Sequence, residues 1–423
     1  MKKIFGTDGI RGKAGEFPIT PENIYKLGYL FVKITGYKNI AIGWDTRESS
    51  LWIANSLISG IENAGGKPVN LGCIPTPVLS FCTSDSFDGG VMITASHNPY
   101  TDNGIKFFNY KGEKISDEVE NEITKEFYNF LGEIKLSEKI KNILFIEEKI
   151  VKTYLSHIKN KIDLSKIIKT YPVDCANGAT SLFIELAQKT LNIKLNPYNT
   201  NPDGKNINLK CGAAQPDFIK KESFAFDGDG DRIMGKDLNG NIINGDIILM
   251  FLADKLNLDK LVGTVMTNMA VESFCKERKI EFYRTKVGDR FVKEKMNETN
   301  AKLGGETSGH IILTDLNSTG DSFAVYLKIL ELLNTFKIDI NDLTKKYRLF
   351  PQKVINIPVK EKKPFEQIKG FKKLMEKCEI ILGDKGRIFP RYSGTENLLR
   401  ILIECQAEDR VNEAQKIIKN FFK

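Results

Sequence analysis

Residues 91–108, VMITASHNPYTDNGIKFF, carry the pattern that best defines the fold of this chain. A short apolar run at 91–93 stops in a polar loop that contains Pro99 and Gly104, and a second apolar run follows at 105–108. This pattern predicts a buried strand, a polar loop and a returning strand. Open α/β sheets bind their ligands at polar loops beyond the carboxyl ends of their strands. We therefore expect Ser96 at a strand tip, with Lys106 brought back beside it by the second strand.

The sequence on both sides of this stretch alternates between strand and helix patterns. Thr20 and Pro21 have the N-cap and first-turn signature of a helix at 21–33. Strands at 40–44, 68–72 and 90–94 alternate with helices at 49–64 and 75–82. This β-α-β-α-β order predicts a mainly parallel sheet with helices on both faces. The charged segment 116–152 predicts a further helical region, and a first domain boundary falls near residue 148.

Later segments repeat the alternation and then change character. A strand-turn-helix unit at 171–191 belongs to a second domain, and a long apolar helix at 246–256 opens a third. The 423 residues leave room for three to four domains of about 100–150 residues each. We predict α/β domains at 1–148, 149–244 and 245–349, followed by a small C-terminal α+β domain at 350–423.

The composition limits the class of protein. A hydrophobic content of 41% and a charged content of 27% are ordinary for a globular protein, and no apolar run approaches the roughly 20 residues of a membrane span. The basic start precedes no apolar segment, so we expect no signal peptide. The net charge of +8 comes from lysines spread along the chain, which argues against a nucleic-acid partner. Seven scattered cysteines without a Cys-x-x-Cys pair favour reduced thiols in the cytoplasm over zinc or disulfides.

A second polar loop, in FAFDGDGDR at 224–232, is acidic. Asp227, Asp229 and Asp231 alternate with glycines directly after an apolar run, and three carboxylates so close repel one another unless a cation compensates their charge. The sequence fails the EF-hand pattern, because the sixth position is Arg232 and the twelfth is Leu238 instead of glycine and glutamate. A solvated acidic turn remains the alternative. Magnesium suits the oxygen ligands better, and we predict a Mg²⁺ site.

Two further loops combine polar side chains with glycine. In GGETSGH, at 304–310, Glu306 and Ser308 lie between glycines, so a ligand can approach the backbone closely. Glycine-rich turns of this kind are common, and taken alone His310 is more simply a core histidine. In FPRYSGTENLLR, at 389–400, a guanidinium, two hydroxyls and freely placed amides suit a phosphate dianion, with a plain hairpin turn as the alternative.

The chemistry of Ser96 stays open on local grounds. Most loop serines cap a turn. A serine hydrolase is disfavoured because Ser96 lacks the Gly-x-Ser-x-Gly elbow, and His97, its neighbour on a strand-like backbone, is expected to point away from it. The start of the chain, MKKIFGTDGIRG, allows a similar choice, since Arg11 lies either in a simple turn or over a phosphate.

In this order, the motifs resemble those of the α-D-phosphohexomutases. TASHNPYTDNGIKFF is similar to the phosphoserine loop of that family, and FGTDGIRG is similar to the opening of its bacterial phosphoglucosamine mutases. The resemblance covers essentially the whole chain. It implies three similar α/β domains with mixed, mainly parallel sheets and a smaller C-terminal α+β domain around a central cleft. This sequence departs from the family pattern at Ser322, where glycine is expected, and at Tyr392 and Asn397, where proline is frequent.

The resemblance also implies a role for each motif. Ser96 would carry a phosphoryl group whose oxygen completes a site for one Mg²⁺ on Asp227, Asp229 and Asp231. The implied catalytic residues are Ser96, Lys106, Arg11 and His310, and Lys106 would have to be partly neutral near pH 7 to accept a proton. The implied substrate-binding residues are Arg232, Lys286, Glu306, Ser308, Arg391, Ser393, Gly394 and Thr395.

The implied reaction converts glucosamine 6-phosphate into glucosamine 1-phosphate through a phosphoserine and a bisphosphate, for the synthesis of UDP-N-acetylglucosamine and peptidoglycan precursors. A hexosamine or hexose 1,6-bisphosphate would act as activator. The expected protein is a cytoplasmic monomer or homodimer with a phosphosugar substrate and no membrane partner. A phosphoglucomutase/phosphomannomutase is the alternative within the family, and a sugar-phosphate binding protein without turnover is the alternative from another class.

Overall fold

The computed structural model describes residues 3–6, 8–137, 140, 142, 144–393 and 397–422, and they form an α/β fold with four sheets. The first sheet contains β1–β5, at Ile10–Lys13, Asn39–Trp44, Lys67–Cys73, Gly89–Ile93 and Asp102–Phe108. Helices α1–α4 accompany it, at Pro21–Thr35, Ser50–Asn63, Thr76–Ser86 and Asp117–Tyr128. The predicted strand, loop and returning strand around Ser96 are confirmed as β4 and β5.

The second and third sheets follow in chain order. Helix α5, at Glu148–Lys161, precedes strands β6–β10, at Val173–Asp174, Pro197–Tyr198, Ser223–Phe226, Ile233–Lys236 and Ile242–Ile243, with α6 at Thr180–Leu191. The third sheet contains β11–β14, at Lys260–Thr264, Glu281–Thr285, Leu303–Gly305 and Ile311–Leu313. Helices α7–α11 come from the same segment of the chain, at Gly245–Lys255, Met269–Arg278, Asp289–Thr299, Ser322–Thr335 and Ile340–Lys346.

The C-terminal unit is smaller and purely antiparallel. Its strands β15–β17, at Gln352–Pro358, Gly386–Tyr392 and Leu398–Cys405, carry helices α12 and α13, at Phe371–Leu382 and Glu408–Phe421, which enclose a core of their own. Each of the four sheets takes its strands from one predicted domain. The domain limits at 148, 244 and 349 stay predictions, and α10, from the third segment, packs on β8 and β9 of the second sheet.

The first three sheets share one topology. Their strand orders are β3-β2-β4-β5-β1, β7-β6-β8-β9-β10 and β12-β11-β13-β14. In each sheet the first three strands of this order are parallel and the next is antiparallel. The repeat is therefore structural, with no counterpart in the letters. The chain turns back between the third and fourth of these strands, and that turn holds Ser96 in the first sheet, the three aspartates in the second and Glu306 to His310 in the third.

One helix prediction is wrong over part of its length. The charged segment 116–152 forms α4 and the start of α5, but the described residues between Asn129 and Glu147 are not helical. Here the chain runs along α2 and then pairs with the first sheet, because the Ile140 amide donates to Asn55 Oδ1 of α2 over 2.8 Å and Ile146 bridges to Gly72 of β3. The buried Ile140 gives more stabilisation in this path than a surface helix rich in lysine and glutamate would.

Among the helices of the described residues the longest has 15 residues, and none is both long and apolar enough to cross a membrane. All seven cysteines are buried and unpaired.

Candidate active site

The Ser96 side chain points directly at the acidic loop. Ser96 is fully buried, and its hydroxyl donates to Asp227 Oδ2 over 2.8 Å. Its backbone is left-handed, with φ of 52°, so the strand geometry expected around it is wrong. That conformation also corrects the prediction for His97, whose Nδ1 lies 3.3 Å from Ser96 Oγ instead of pointing away. Alternation of side chains holds only on an extended backbone.

The loop of the three aspartates is in direct backbone contact with the Ser96 loop. A Cβ added to Gly228 would lie 2.7 Å from the Ser96 carbonyl oxygen and 2.6 Å from Asn208 Nδ2. Glycine is therefore required at this position by the close approach of two backbones. The same approach is what brings Asp227 within hydrogen-bond distance of Ser96.

The three aspartates fit a divalent cation. Asp227, Asp229 and Asp231 are buried, and each can offer an oxygen within 4.8 Å of the oxygens of the other two. Asp229 Oδ1 and Asp231 Oδ1 are buried without a hydrogen-bond partner, which is costly unless a ligand satisfies them. Burial, together with the charges of Asp231 and Asp229, raises the pKa of Asp227 well above its ordinary value. A cation that prefers oxygen ligands would bind the unpaired carboxylate oxygens and offset the repulsion that raises the pKa of Asp227.

Lys106 lies beside the same carboxylates. Its Nζ is 2.9 Å from Asp229 Oδ2, 3.1 Å from Asp231 Oδ2 and 3.3 Å from Asp8 Oδ2. Burial alone would lower the pKa of Lys106, but these carboxylates outweigh it and hold the pKa well above its ordinary value. The expectation that Lys106 is partly neutral near pH 7 is therefore wrong for this arrangement, since three carboxylates stabilise the ammonium.

Arg11 approaches the centre through Asp8. The Asp8 carboxylate pairs with Arg11, with Lys114 and with Lys106, and these three cations overcome its burial and lower the pKa of Asp8 well below its ordinary value. Arg11 Nε is buried without a hydrogen-bond partner. Asp8 thus holds Arg11 and Lys106 in one group, and Lys106 connects that group to the acidic loop.

His310 connects the GGETSGH loop, at 304–310, to the acidic loop. It is buried, its Nδ1 lies 3.7 Å from Asp231 Oδ2, and residue 310 bridges to Arg232. The Gly320 amide donates to His310 Nε2 over 3.2 Å, so in the neutral ring the proton sits on Nδ1. Burial lowers the pKa of His310, but Asp231, Asp289 and Glu306 raise it further than burial lowers it.

The ring position of His310 depends on Gly320. A Cβ at residue 320 would lie 2.5–2.7 Å from three ring atoms of His310. We expect Gly320→Ala to displace the imidazole from Asp231, to lower the free energy of unfolding by about 1–3 kcal/mol and to lower kcat about tenfold. Urea unfolding and steady-state kinetics measure the two effects.

A suitable control is Gly36→Ala, at a helix C-cap with φ of 73° and no atom within 4 Å of an added Cβ. This change costs roughly 1 kcal/mol of backbone strain and should leave kcat unchanged. A Gly320→Ala protein with the kcat of the wild type would show that the ring position of His310 does not matter.

Glu306 and Ser308 occupy the turn before His310. Both are half-buried, and the Gly288 amide donates to Glu306 Oε1 over 3.0 Å, which ties the loop of the exposed Lys286 to this turn. The charge of Glu306 is also among those that raise the pKa of Arg232. Thr307, between them, donates to the buried Asp246, whose pKa rises to about 6, mainly through burial. Asp246 therefore anchors the turn from below.

Arg391 and Ser393 lie in the C-terminal unit, at the end of β16. Arg391 is paired in register with Arg400 of β17, and burial together with the Arg400 charge lowers the pKa of Arg391. Lys362 Nζ donates to the Ser393 carbonyl over 2.7 Å. Three cations around one turn favour a doubly charged anion. The other two predicted residues of this turn, Gly394 and Thr395, lie outside the described residues.

Sequence reasoning missed several residues of the site. Asp8 and Thr76 contact the centre directly, since the Thr76 hydroxyl donates to Asp229 Oδ2 over 2.6 Å. Asp45 and Arg47, in the segment WDTRESS at 44–50, are fully buried behind the Ser96 loop. A polar, charged run directly after the apolar strand β2 was the available signal, of the same kind that identified Ser96 after β4.

Comparisons with known proteins show the family of this chain. Family models of phosphoglucomutase/phosphomannomutase match this chain in α/β/α domain I at residues 2–130, α/β/α domain III at 244–350 and the C-terminal domain at 354–420. A protein of Actinobacillus pleuropneumoniae serotype 5b named phosphoglucosamine mutase is 40% identical, over 96% of this chain and 95% of its own. One of the same name from Nautilia profundicola is 38% identical, over 100% and 99%.

The fold agrees as well. The crystal structure of a phosphoglucomutase/phosphomannomutase family protein from Burkholderia thailandensis matches with a TM-score of 0.79 and 23% identity, over 99% of this chain and 96% of its own. Together with the full-length relatives, this shows that the chain belongs to the phosphoglucomutase/phosphomannomutase family, the α-D-phosphohexomutases.

Proposed function

We infer that this protein is a phosphoglucosamine mutase, which interconverts glucosamine 6-phosphate and glucosamine 1-phosphate. The observation that carries the inference is the buried Ser96 hydroxyl bonded to Asp227 of the acidic triad, with Arg11 and Lys106 joined through Asp8. A hydroxyl, a cation site and flanking cations are the parts that phosphoryl transfer needs. Relatives that carry this name are 38–40% identical over nearly the whole chain.

In the proposed reaction, Ser96 carries the phosphoryl group. The bond between Ser96 Oγ and phosphorus breaks as the free hydroxyl of the bound sugar phosphate takes the phosphoryl group, and the proton of that hydroxyl passes to Ser96 Oγ. The resulting bisphosphate turns within the cleft and gives its other phosphoryl group to Ser96, whose proton passes to the sugar oxygen that is released. The number of phosphoryl groups on enzyme and sugar is thereby conserved, and the product is the isomeric monophosphate.

Mg²⁺, when bound by Asp227, Asp229 and Asp231 together with the Ser96 phosphate, supplies positive charge to the transferring group. Arg11 and Arg232 add charge from the chain itself. As an ammonium, Lys106 is set to donate a proton, and it can accept one only after its carboxylate partners are engaged elsewhere. His310, with its Nδ1 proton towards Asp231, is the second proton carrier we propose.

The remaining residues would hold the sugar. Glu306 and Ser308 would bind its hydroxyls and Lys286 would lie beside it, while Arg391 and Ser393, with Gly394 and Thr395, would bind the phosphate that is not transferred. Closure of the C-terminal unit would then exclude water. Activation by a hexosamine or hexose 1,6-bisphosphate, a role in peptidoglycan precursor synthesis, the cytoplasm as compartment and a monomeric or homodimeric state are further parts of this proposal.

Substrate preference tests the proposal. We expect the purified protein with Mg²⁺ and glucose 1,6-bisphosphate to convert glucosamine 6-phosphate with a kcat/KM at least about tenfold above that for glucose 6-phosphate or mannose 6-phosphate, because one substituent in a polar site is worth at least this factor. A preference for glucose or mannose phosphate would make the protein a phosphoglucomutase/phosphomannomutase. Binding of all three without turnover would leave the sugar-phosphate binding protein.

A further inference from the structure

We propose that Arg47 is the positioning residue that fixes the phosphoryl-carrying serine, a role that rests on the proposed function. Arg47 is not among the site residues predicted from the sequence. It would not touch the substrate, because it is fully buried behind the Ser96 loop. Arg47 contacts the backbone of that loop, and the number and direction of these hydrogen bonds support the proposal.

All three nitrogens of the guanidinium are engaged. Arg47 Nη2 donates to the carbonyls of Ser96 over 2.9 Å and of Asn98 over 2.8 Å. Arg47 Nη1 donates to the carbonyl of Asp102 over 3.0 Å and to that of Pro99. The loop 96–102 is thus folded around one cation, with four of its carbonyl oxygens turned towards the guanidinium.

Asp45 completes the arrangement. Its Oδ2 accepts from Arg47 Nε over 2.9 Å, which neutralises the buried guanidinium, and also from the Thr94 hydroxyl over 2.7 Å. The Thr94 oxygen in turn accepts from the Ser96 amide over 2.8 Å. Ser96 is therefore held at its carbonyl by Arg47 and at its amide by Asp45 through Thr94, and Asn208 adds a second donor to the carbonyl over 2.9 Å.

This grip explains the backbone of Ser96. A left-handed conformation is unfavourable for serine and persists only where the surroundings enforce it. Here it turns Oγ towards Asp227 while the amide is held by Thr94 and the carbonyl by Arg47 and Asn208. Lysine cannot replace arginine in this position, because one ammonium cannot reach four carbonyls and a carboxylate that lie around a planar fork.

A small displacement of Ser96 Oγ is enough to impair transfer, because the rate of phosphoryl transfer depends mainly on the positions of the reacting atoms. Substrate contacts lie on other loops and should be spared. We therefore expect Arg47→Lys to lower kcat about 100-fold and to change KM by less than about threefold. The rate at which glucose 1,6-bisphosphate phosphorylates Ser96, followed by intact mass, should fall with kcat.

Arg278→Lys controls for the exchange of arginine for lysine: Arg278 is exposed, and its Nε donates to a carboxylate, Asp254, over 2.9 Å, on another part of the fold. It should keep the kcat of the wild type. If Arg47→Lys does not fold, as judged by circular dichroism, Thr94→Val removes the link to the Ser96 amide with almost no change of shape, and kcat should fall about tenfold at constant KM.

The outcomes separate the two proposals. A wild-type protein without mutase turnover or Ser96 phosphorylation overturns the proposed function. If the wild type is active, a folded Arg47→Lys protein that keeps the wild-type kcat overturns the positioning role. A folded Arg47→Lys protein whose KM changes by the same factor as its kcat also overturns it. If Thr94→Val is the only variant that can be purified, an unchanged kcat of that variant overturns the positioning role.

Discussion

Replacement of Ser96 by alanine is expected to abolish mutase activity, with kcat reduced by about 10⁴-fold or more. Loss of a nucleophile that forms a covalent intermediate has effects of this size. The neighbouring groups cannot take over, because Lys106 is paired with the acidic loop and the nearby hydroxyls of Thr76 and Thr94 already donate to Asp229 and Asp45.

The fold should survive this change. The Ser96 hydroxyl makes its one strong hydrogen bond to Asp227, whereas the loop is held through backbone carbonyls. The free energy of unfolding should therefore change by no more than about 1–2 kcal/mol. The measurements are kcat, thermal unfolding, and intact mass after incubation with glucose 1,6-bisphosphate, in which only the wild type gains a phosphoryl group.

Ser80→Ala serves as control. Ser80 is also fully buried, and its hydroxyl donates to the Gly112 carbonyl over 2.6 Å, outside the site. It should lose similar stability and keep both activity and phosphorylation. A Ser96→Ala protein that retains more than about 1% of kcat, or that is phosphorylated at another residue, would contradict the assignment of Ser96.

Replacement of Asp227 by asparagine is expected to remove the response to Mg²⁺ and to lower kcat by about 10³-fold or more. Asparagine keeps an oxygen that can accept from Ser96, so the change isolates the charge of the carboxylate. A ligand that binds only the folded protein at 100 times its Kd stabilises it by about 2.7 kcal/mol. Wild type should show a gain of this order in thermal unfolding with Mg²⁺, and Asp227→Asn should show none.

Asp237→Asn separates metal binding from the general cost of losing a buried aspartate. Asp237 is fully buried, lies just after β9, and accepts hydrogen bonds from the Asn241 amide and from Thr344. Its replacement should lower the free energy of unfolding by about 1–3 kcal/mol while the Mg²⁺ response stays intact. An Asp227→Asn protein that Mg²⁺ still stabilises as wild type would remove the acidic loop as the metal site.

Several parts of the site could be predicted because their signals are local. An apolar run followed by polar residues and glycine marks a strand end with a loop, which is how Ser96, Asp227 and Glu306 were found. The N-cap of α1 is equally local, and the structure confirms it, since Thr20 Oγ1 accepts from the Asn23 amide. Three carboxylates within five residues, directly after an apolar run, favour a cation site over a solvated acidic turn.

Other parts depend on contacts between distant residues. Lys106 meets Asp229 and Asp231 from 123 and 125 residues away, and these contacts reverse its predicted charge state. Arg47 reaches the Ser96 loop from 49 residues away. The direction of His97 follows from the left-handed backbone of Ser96, which the packing of Arg47, Asn208 and Thr94 enforces.

The sequence by itself determined the alternation of strands and helices, the family resemblance and the loops that carry chemistry, because hydrophobic periodicity and turn residues act within a few positions of the chain. Tertiary structure decided that three sheets share one topology, that the equivalent turns of the first and third sheets both contact the acidic loop of the second, and that three carboxylates surround Lys106. The physical reason is that desolvation and Coulomb energies depend on which groups lie nearby in space, and a list of residues does not contain those distances.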